Sequence, residues 1–212
     1  MNLNQARALL HEHLHPYFHH KKYLEKGPLL FERKTSFGKS VFIATVTGDE
    51  EMAYVKFFTG IRHDLVELTL TNTFGLTEYF KNSSYSLLLN WSYLDQNAPS
   101  FLPSKNVNDM TVIGDMAIDF MDRNGFDFLD HYKDLSSLDR LFNDTPLKVA
   151  KWSSHNYLHC FRAMAIAKLL SRQDYDQLFL THRTYLENRG LSGPIIEKFD
   201  STFTQLKKLS LN

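Results

Sequence analysis

The chain has only one cysteine among its 212 residues, so it cannot form an internal disulfide bond. Disulfide-rich proteins belong to oxidising compartments. The first 20 residues carry polar His, Glu and Asn where a secretory signal has a continuous apolar run. Apolar runs elsewhere are far shorter than the roughly 20 residues that cross a bilayer. These absences predict a cytoplasmic protein without a membrane span.

An excess of charge of one sign is also missing, because 24 basic residues balance 24 acidic residues. A neutral chain lacks the global positive field that nonspecific binding to DNA or RNA uses. Disorder is excluded as well, since 43% of the residues are hydrophobic and 14% are aromatic. The composition predicts a folded protein that binds neither nucleic acid nor membrane.

Linkers rich in glycine or proline and internal repeats are absent, so we expect a single domain over residues 1–212. Helical periodicity covers residues 1–15, and Pro16 is expected to end that helix. Runs rich in β-forming residues follow at 29–33, 40–47, 52–59, 62–71 and 85–93, with a hairpin turn at 48–51. Helical patterns return at 109–124, 138–142, 153–171, 174–188 and 194–209. This order predicts an α+β fold, with an antiparallel sheet of about four to five strands at residues 29–93 packed against N-terminal and C-terminal helices.

The opening helix contains the zinc-protease pattern H-E-x-x-H, in which His11 and His15 would hold Zn²⁺ and Glu12 would activate a water. The pattern needs an uninterrupted helix, and Pro16 argues against one. The extended motif's third ligand is also missing from the positions that follow. We therefore predict no catalytic residue, no cofactor and no metal site. Metal-dependent hydrolysis by His11 and His15 and adventitious metal binding by the histidine cluster are the alternatives.

Asp115, Asp119 and Asp122 share one face of the helix expected at 109–124. They lie in a segment, residues 109–144, that has nine acidic and three basic residues. Like charges so arranged cost stability. The face is either solvated and relieved by the basic C-terminal helices, or it docks a basic protein partner, or it holds a metal ion. We take the three aspartates as the candidate partner-binding residues.

A later helical stretch carries His155 and His159 one turn apart, followed by Cys160. The nearby sequence offers no obvious third metal ligand. A cysteine within an apolar helix is usually a buried, inert thiol. We expect no metal at this position.

Four short segments occur in a particular order: Tyr17-Phe18-His19-His20-Lys21-Lys22-Tyr23, Leu30-Phe31-Glu32-Arg33, Gly60-Ile61-Arg62 and Phe126-Asp127-Phe128-Leu129. Together they resemble a group of uncharacterised bacterial α+β domains, some of which are regarded as immunity proteins of polymorphic toxin systems. The resemblance implies a binding role without catalytic residues and identifies no site residue.

The function that we expect is a noncatalytic cytoplasmic protein-interaction domain, immunity-like in type, that binds a basic partner through its acidic surface. A metal-dependent hydrolase that uses the N-terminal histidines is one alternative. A small-molecule-binding protein with a pocket between sheet and helices is another. Self-association through an uncovered sheet face or edge is also left open.

Overall fold

A computed structural model describes residues 1–49, 51–74, 79–144 and 157–210. The predicted α+β class is confirmed, with an antiparallel sheet and helices at both ends of the chain. The strands are β1 (Leu24–Gly27), β2 (Leu30–Thr35), β3 (Gly38–Gly48), β4 (Ala53–His63), β5 (Leu87–Asn90) and β6 (Leu102–Ser104). The α-helices are α1 (Leu3–His20), α2 (Asp64–Phe74), α3 (Val107–Phe120), α4 (Phe126–His131), α5 (Leu135–Asp139), α6 (Leu158–Leu169), α7 (Tyr175–Asn188) and α8 (Gly193–Lys208).

The chain forms two compact units, of which the first contains residues Met1–Arg62 and Leu87–His131 and the second contains His63–Ser86 and Tyr132–Asn212. The expectation of a single domain stays a prediction. The strands lie in the order β1-β2-β3-β4-β5, and β6 pairs with β4. The predicted hairpin turn joins β3 to β4, where the Asp49 carboxylate accepts hydrogen bonds from the backbone N–H groups of Glu51 and Met52 at 2.9 and 3.0 Å.

Aromatic rings form the core of the first unit and join α1 to the sheet and then to α3. Phe18 of α1 stacks on Phe31 and Phe42, with ring centroids 4.7 and 4.5 Å apart. Successive ring contacts then continue through Phe42, Phe57, Trp91 and Phe120. Such contacts add about 0.5–1.5 kcal/mol per pair to the burial of apolar area. This core holds α1 against the first strands.

The expected break of α1 at Pro16 is wrong, because the helix continues through Pro16 to His20. Leu14 and Phe18, on either side of the proline, are both fully buried. Pro16 itself is exposed, so the carbonyl of Glu12 that loses its helical partner lies on the solvent side. Burial of the opposite face therefore keeps the helix intact. His11 and His15 thus lie on one continuous helix.

The strand expected at residues 62–71 is also wrong, because β4 ends at His63 and α2 begins at Asp64. Val66 and Leu70 are fully buried, while Leu65 is exposed. The spacing of the two buried residues is helical. In the second unit, α6 packs against α2, α5, α7 and α8 and is buried on every side. Polar residues of α6 therefore need partners inside the protein.

Among the described residues, no helix is both long enough and apolar enough to cross a membrane.

Candidate metal centre

His11 and His15 of α1 meet Glu25 of β1 at the surface of the first unit. The continuous helix places the two imidazole rings one turn apart, with centroids separated by 5.2 Å. The chain reverses direction after α1, and β1 brings Glu25 alongside the helix, where its Oε2 lies 2.8 Å from Nε2 of His11. One ligand atom of each residue lies within 4.8 Å of the other two. Glu25 offers the candidate third ligand that the sequence motif lacked.

This cluster has the donor set of a zinc site that carries three protein ligands. Tetrahedral zinc with bonds of about 2.0–2.2 Å holds its ligand atoms roughly 3.3–3.6 Å apart. The separation of His11 Nε2 and Glu25 Oε2, 2.8 Å, is shorter than that value, and all three ligand atoms lie within 4.8 Å of one another. All three side chains are at least partly exposed to solvent. Solvent can occupy the fourth position, which is the condition for a metal-bound water that acts as a nucleophile.

Glu12, the glutamate of the motif, is exposed and lines a surface groove together with Leu9 and Lys105. The structure groups Glu25, and not Glu12, with the two histidines. The motif therefore identified two of the three members of the cluster. Sequence spacing missed the third because Glu25 is brought back by a change of chain direction.

The opposite side of α1 binds two of the three predicted partner-binding aspartates of α3 and the turn after it. His13 Nε2 lies 2.8 Å from Asp115 Oδ1. Tyr17 and Lys21 both donate hydrogen bonds to Asp122 Oδ1, at 2.8 and 3.0 Å. Burial alone would raise the pKa of Asp122, but the hydrogen bonds from Lys21 and Tyr17 and the lysine charge lower it below its usual value. These contacts stabilise the packing of α1 on α3.

The third aspartate, Asp119, forms an ion pair with Arg123 one turn further on, at 2.8 Å. We expected basic residues of the C-terminal helices to relieve the repulsion between these carboxylates. The partners that the described residues show for the three aspartates come instead from α1 and from Arg123. Asp115 and Asp119 are still 68% and 53% exposed. Their role as partner-binding residues stays a prediction.

Of the later histidine pair, His155 lies outside the described residues, and His159 is buried in α6 beside Cys160. Burial raises the pKa of the Cys160 thiol well above its ordinary value.

No family model matches this chain, and neither a curated protein nor a solved structure matches it. The resemblance to bacterial immunity-type domains therefore stays an expectation. Support for a function comes from the geometry of the site.

Proposed function

We propose that this protein binds one divalent transition-metal ion at a surface centre formed by His11, His15 and Glu25. The observation that supports the proposal is the convergence of two imidazoles and one carboxylate, from α1 and β1, within 4.8 Å. The sequence predicted neither the continuous helix nor the position of Glu25, so it did not favour this function.

The donor atoms decide which ions the centre accepts. Imidazole nitrogen suits Zn²⁺, Cu²⁺ and Ni²⁺, whereas Mg²⁺ and Ca²⁺ prefer sets made of oxygen ligands. One carboxylate leaves a net charge of +1 on a site that holds a divalent ion. The partial exposure of the ligands lets water solvate that charge, so binding does not bury it. Zinc is the ion that we assign to the centre.

Hydrolysis is the reaction that such a centre permits. An ion with three protein ligands keeps a position for water and lowers the pKa of that water toward neutrality. Glu12 follows His11 directly, which is the place of the general base in the zinc-protease pattern. A hydrolase function is therefore the extension of the proposal, and it depends on the metal centre being present.

The test is a calorimetric titration of untagged, metal-free protein with Zn²⁺ near neutral pH. We expect one equivalent to bind to the wild-type protein, and we expect this binding to be lost in His11→Ala and in Glu25→Gln. His20→Ala is the matched control, because His20 lies on the same helix, is exposed and is not part of the cluster. Binding that survives His11→Ala and Glu25→Gln, or that His20→Ala abolishes equally, would refute the centre. Peptidase and esterase assays of the zinc-loaded protein, with Glu12→Gln beside it, then test hydrolysis.

A noncatalytic cytoplasmic role in protein interaction is the second proposal. It is supported by Val112 and Met116 of α3, which are 56% and 37% exposed and lie beside Asp115 and Asp119. An apolar patch flanked by carboxylates suits a partner with a basic rim. Val112→Lys combined with Asp119→Lys should abolish capture of a basic partner, whereas Leu180→Lys, at an exposed position of α7, should not. Equal capture by both variants would contradict this surface.

A further inference from the structure

A second cluster of metal-ligating side chains lies in the interior of the second unit. His159 and Cys160 of α6 and His182 of α7 each offer a ligand atom within 4.8 Å of the others. All three residues are at most 2% exposed. Cys160 Sγ lies 3.3 Å from Nε2 of His159. None of these residues belongs to the centre on α1.

The orientation of His182 is determined by a chain of hydrogen bonds around Asn143. The Asn143 amide donates to Asp139 Oδ1 at 2.6 Å and to the carbonyl of Ala163 at 3.1 Å. Both of its hydrogens are thereby used, so its Oδ1 accepts, and the group that donates to it is Nε2–H of His182 at 3.0 Å. The proton of His182 therefore lies on Nε2, and Nδ1 keeps a lone pair.

That lone pair has no hydrogen-bond partner within the described part of the chain, although His182 is completely buried. Buried polar atoms in native proteins are paired in the great majority of cases, so an unpaired one calls for a physical explanation. Metal-ligating histidines show this same arrangement: the distal N–H donates to a protein oxygen, and the other nitrogen binds the ion. Asp139, which forms an ion pair with Arg172 at 2.6 Å, extends the supporting chain outward.

We propose that His159, Cys160 and His182 bind a single Cu(I) ion. A soft thiolate selects Cu(I) or zinc, and imidazole suits both copper and zinc. On binding, the Cys160 S–H proton leaves to solvent and a Cu–S bond forms, so the thiolate charge and the +1 of copper cancel. A zinc ion with the same ligands would leave a net positive charge in a dry interior, which is costly. The charge balance therefore favours monovalent copper.

The experiment uses the full chain with His11→Ala and His15→Ala, so that the imidazoles on α1 do not compete for the ion. Cu(I) is supplied during expression in copper-supplemented medium and again anaerobically to the purified protein, in the presence of a chromophoric Cu(I) chelator. We expect one equivalent of copper with a thiolate-to-copper absorption band in the near ultraviolet. Cys160→Ala should lose both the copper and the band, while its metal-free form should melt close to the metal-free parent, because a buried free cysteine packs as a small hydrophobe.

Asn143→Ala provides the second measurement, because the hydrogen bond of Asn143 to the cluster is to the distal nitrogen of His182 and not to a proposed ligand atom. We expect its Cu(I) affinity to fall by about 10–100-fold, the usual effect of removing an outer-shell partner. Copper binding that persists in Cys160→Ala would overturn the assignment of the ligands. Failure of the parent protein to bind copper, or tighter Cys160-dependent binding of Zn²⁺ than of Cu(I), would overturn the assignment of the ion. Either result leaves the centre on α1 untouched, since the two sites share no residue.

Discussion

Replacing Arg162 with Met should destabilise the second unit more than any conservative change at its surface. Arg162 forms an ion pair with Glu67 through Nε–Oε1 and Nη2–Oε2 distances of 2.9 and 3.3 Å. The Glu67 side chain is 0% exposed and that of Arg162 is 8% exposed. Ser86 also donates to Glu67 Oε1 at 2.8 Å. Without Arg162, the carboxylate stays buried with its charge uncompensated.

The size of the effect follows from the cost of a buried, unpaired charge. Removing one partner of a buried ion pair costs about 3–5 kcal/mol, whereas the free energy of unfolding of a typical protein is about 5–15 kcal/mol. Removing both charges, in Glu67→Gln combined with Arg162→Met, should restore most of the loss. Gln keeps an oxygen that can accept the hydrogen bond from Ser86. The double variant should therefore be more stable than Arg162→Met alone.

Urea unfolding followed by circular dichroism measures the free energy of unfolding of the wild-type protein and the three variants. The coupling energy from this double-mutant cycle should be at least about 1 kcal/mol, which is above the additivity expected of independent sites. The reasoning is refuted if Arg162→Met costs less than about 1 kcal/mol, or if the effects of the two single changes simply add.

The pH dependence of stability provides an independent check on whether the Glu67 carboxylate is charged and paired with Arg162. Burial raises the pKa of Glu67, but the Arg162 charge and the hydrogen bonds from Arg162, Ser84 and Ser86 outweigh burial and lower the pKa below its ordinary 4.5. In the wild-type protein this contribution to stability is present above that ordinary pKa and is lost as the pH falls through the folded-state value. In Arg162→Met the unpaired carboxylate should have a raised pKa, so protonation relieves its penalty. The stability gap between the two proteins should therefore narrow from pH 7 to pH 4.5, and a gap that widens would contradict this assignment.

Three further predictions concern α1 and its contacts. Pro16→Ala should stabilise the protein by about 1–3 kcal/mol, because it restores a helical N–H inside α1; a lower melting temperature would contradict this. Gly114→Ala should cost about 1–3 kcal/mol in urea unfolding, since a Cβ at Gly114 would overlap the His13 ring, and His13→Ala should recover part of this loss. Lys21→Met should raise the pKa of Asp122, measured by carboxyl NMR titration, because it removes a hydrogen bond and a positive charge; an unchanged value would show that the contact is absent in solution.

The elements that the sequence predicted well have strong local signals. The helices expected at 174–188 and 194–209 match α7 and α8 within a residue at each end. Their boundaries depend on neighbouring residues, such as Pro194 in the first turn of α8 and its two C-terminal lysines. The hairpin turn depends on Asp49 in the same way. Such signals act over a few residues, so no knowledge of the tertiary fold is needed to use them.

Two elements were wrong because tertiary burial overrides local preference. Residues 62–71 are rich in threonine and branched apolar residues, which favours a strand. Val66 and Leu70 lie one helical turn apart and are both buried, and this burial favours a helix instead. At Pro16 the local rule predicts a break, but the buried faces of Leu14 and Phe18 keep the helix whole. In both places the deciding contacts come from residues distant in sequence.

The candidate metal centres also depend on contacts between residues distant in sequence. His11 and His15 were found by spacing, because both lie on one helix one turn apart. Glu25 lies on a strand after a reversal of the chain, so no fixed spacing connects it with the motif. His182 is likewise on a different helix from His159 and Cys160. Ligands that belong to separate elements become visible only once the packing is known.

The histidines of α1 also show why composition of a helix face is a poor guide to its role. His13 and His11 are two residues apart, so they lie on opposite sides of the helix, and each has a carboxylate 2.8 Å away. At His13 one imidazole meets Asp115, an exposed ion pair that contributes about 0–1 kcal/mol. At His11 the ring of His15 adds a second imidazole to the same carboxylate. Nε2 of His11 already lies 2.8 Å from Glu25 Oε2, and His15 offers a further ligand nitrogen within 4.8 Å of that pair. The number of imidazoles beside each carboxylate, which only the folded chain reveals, therefore distinguishes the proposed metal centre from a surface ion pair on this helix.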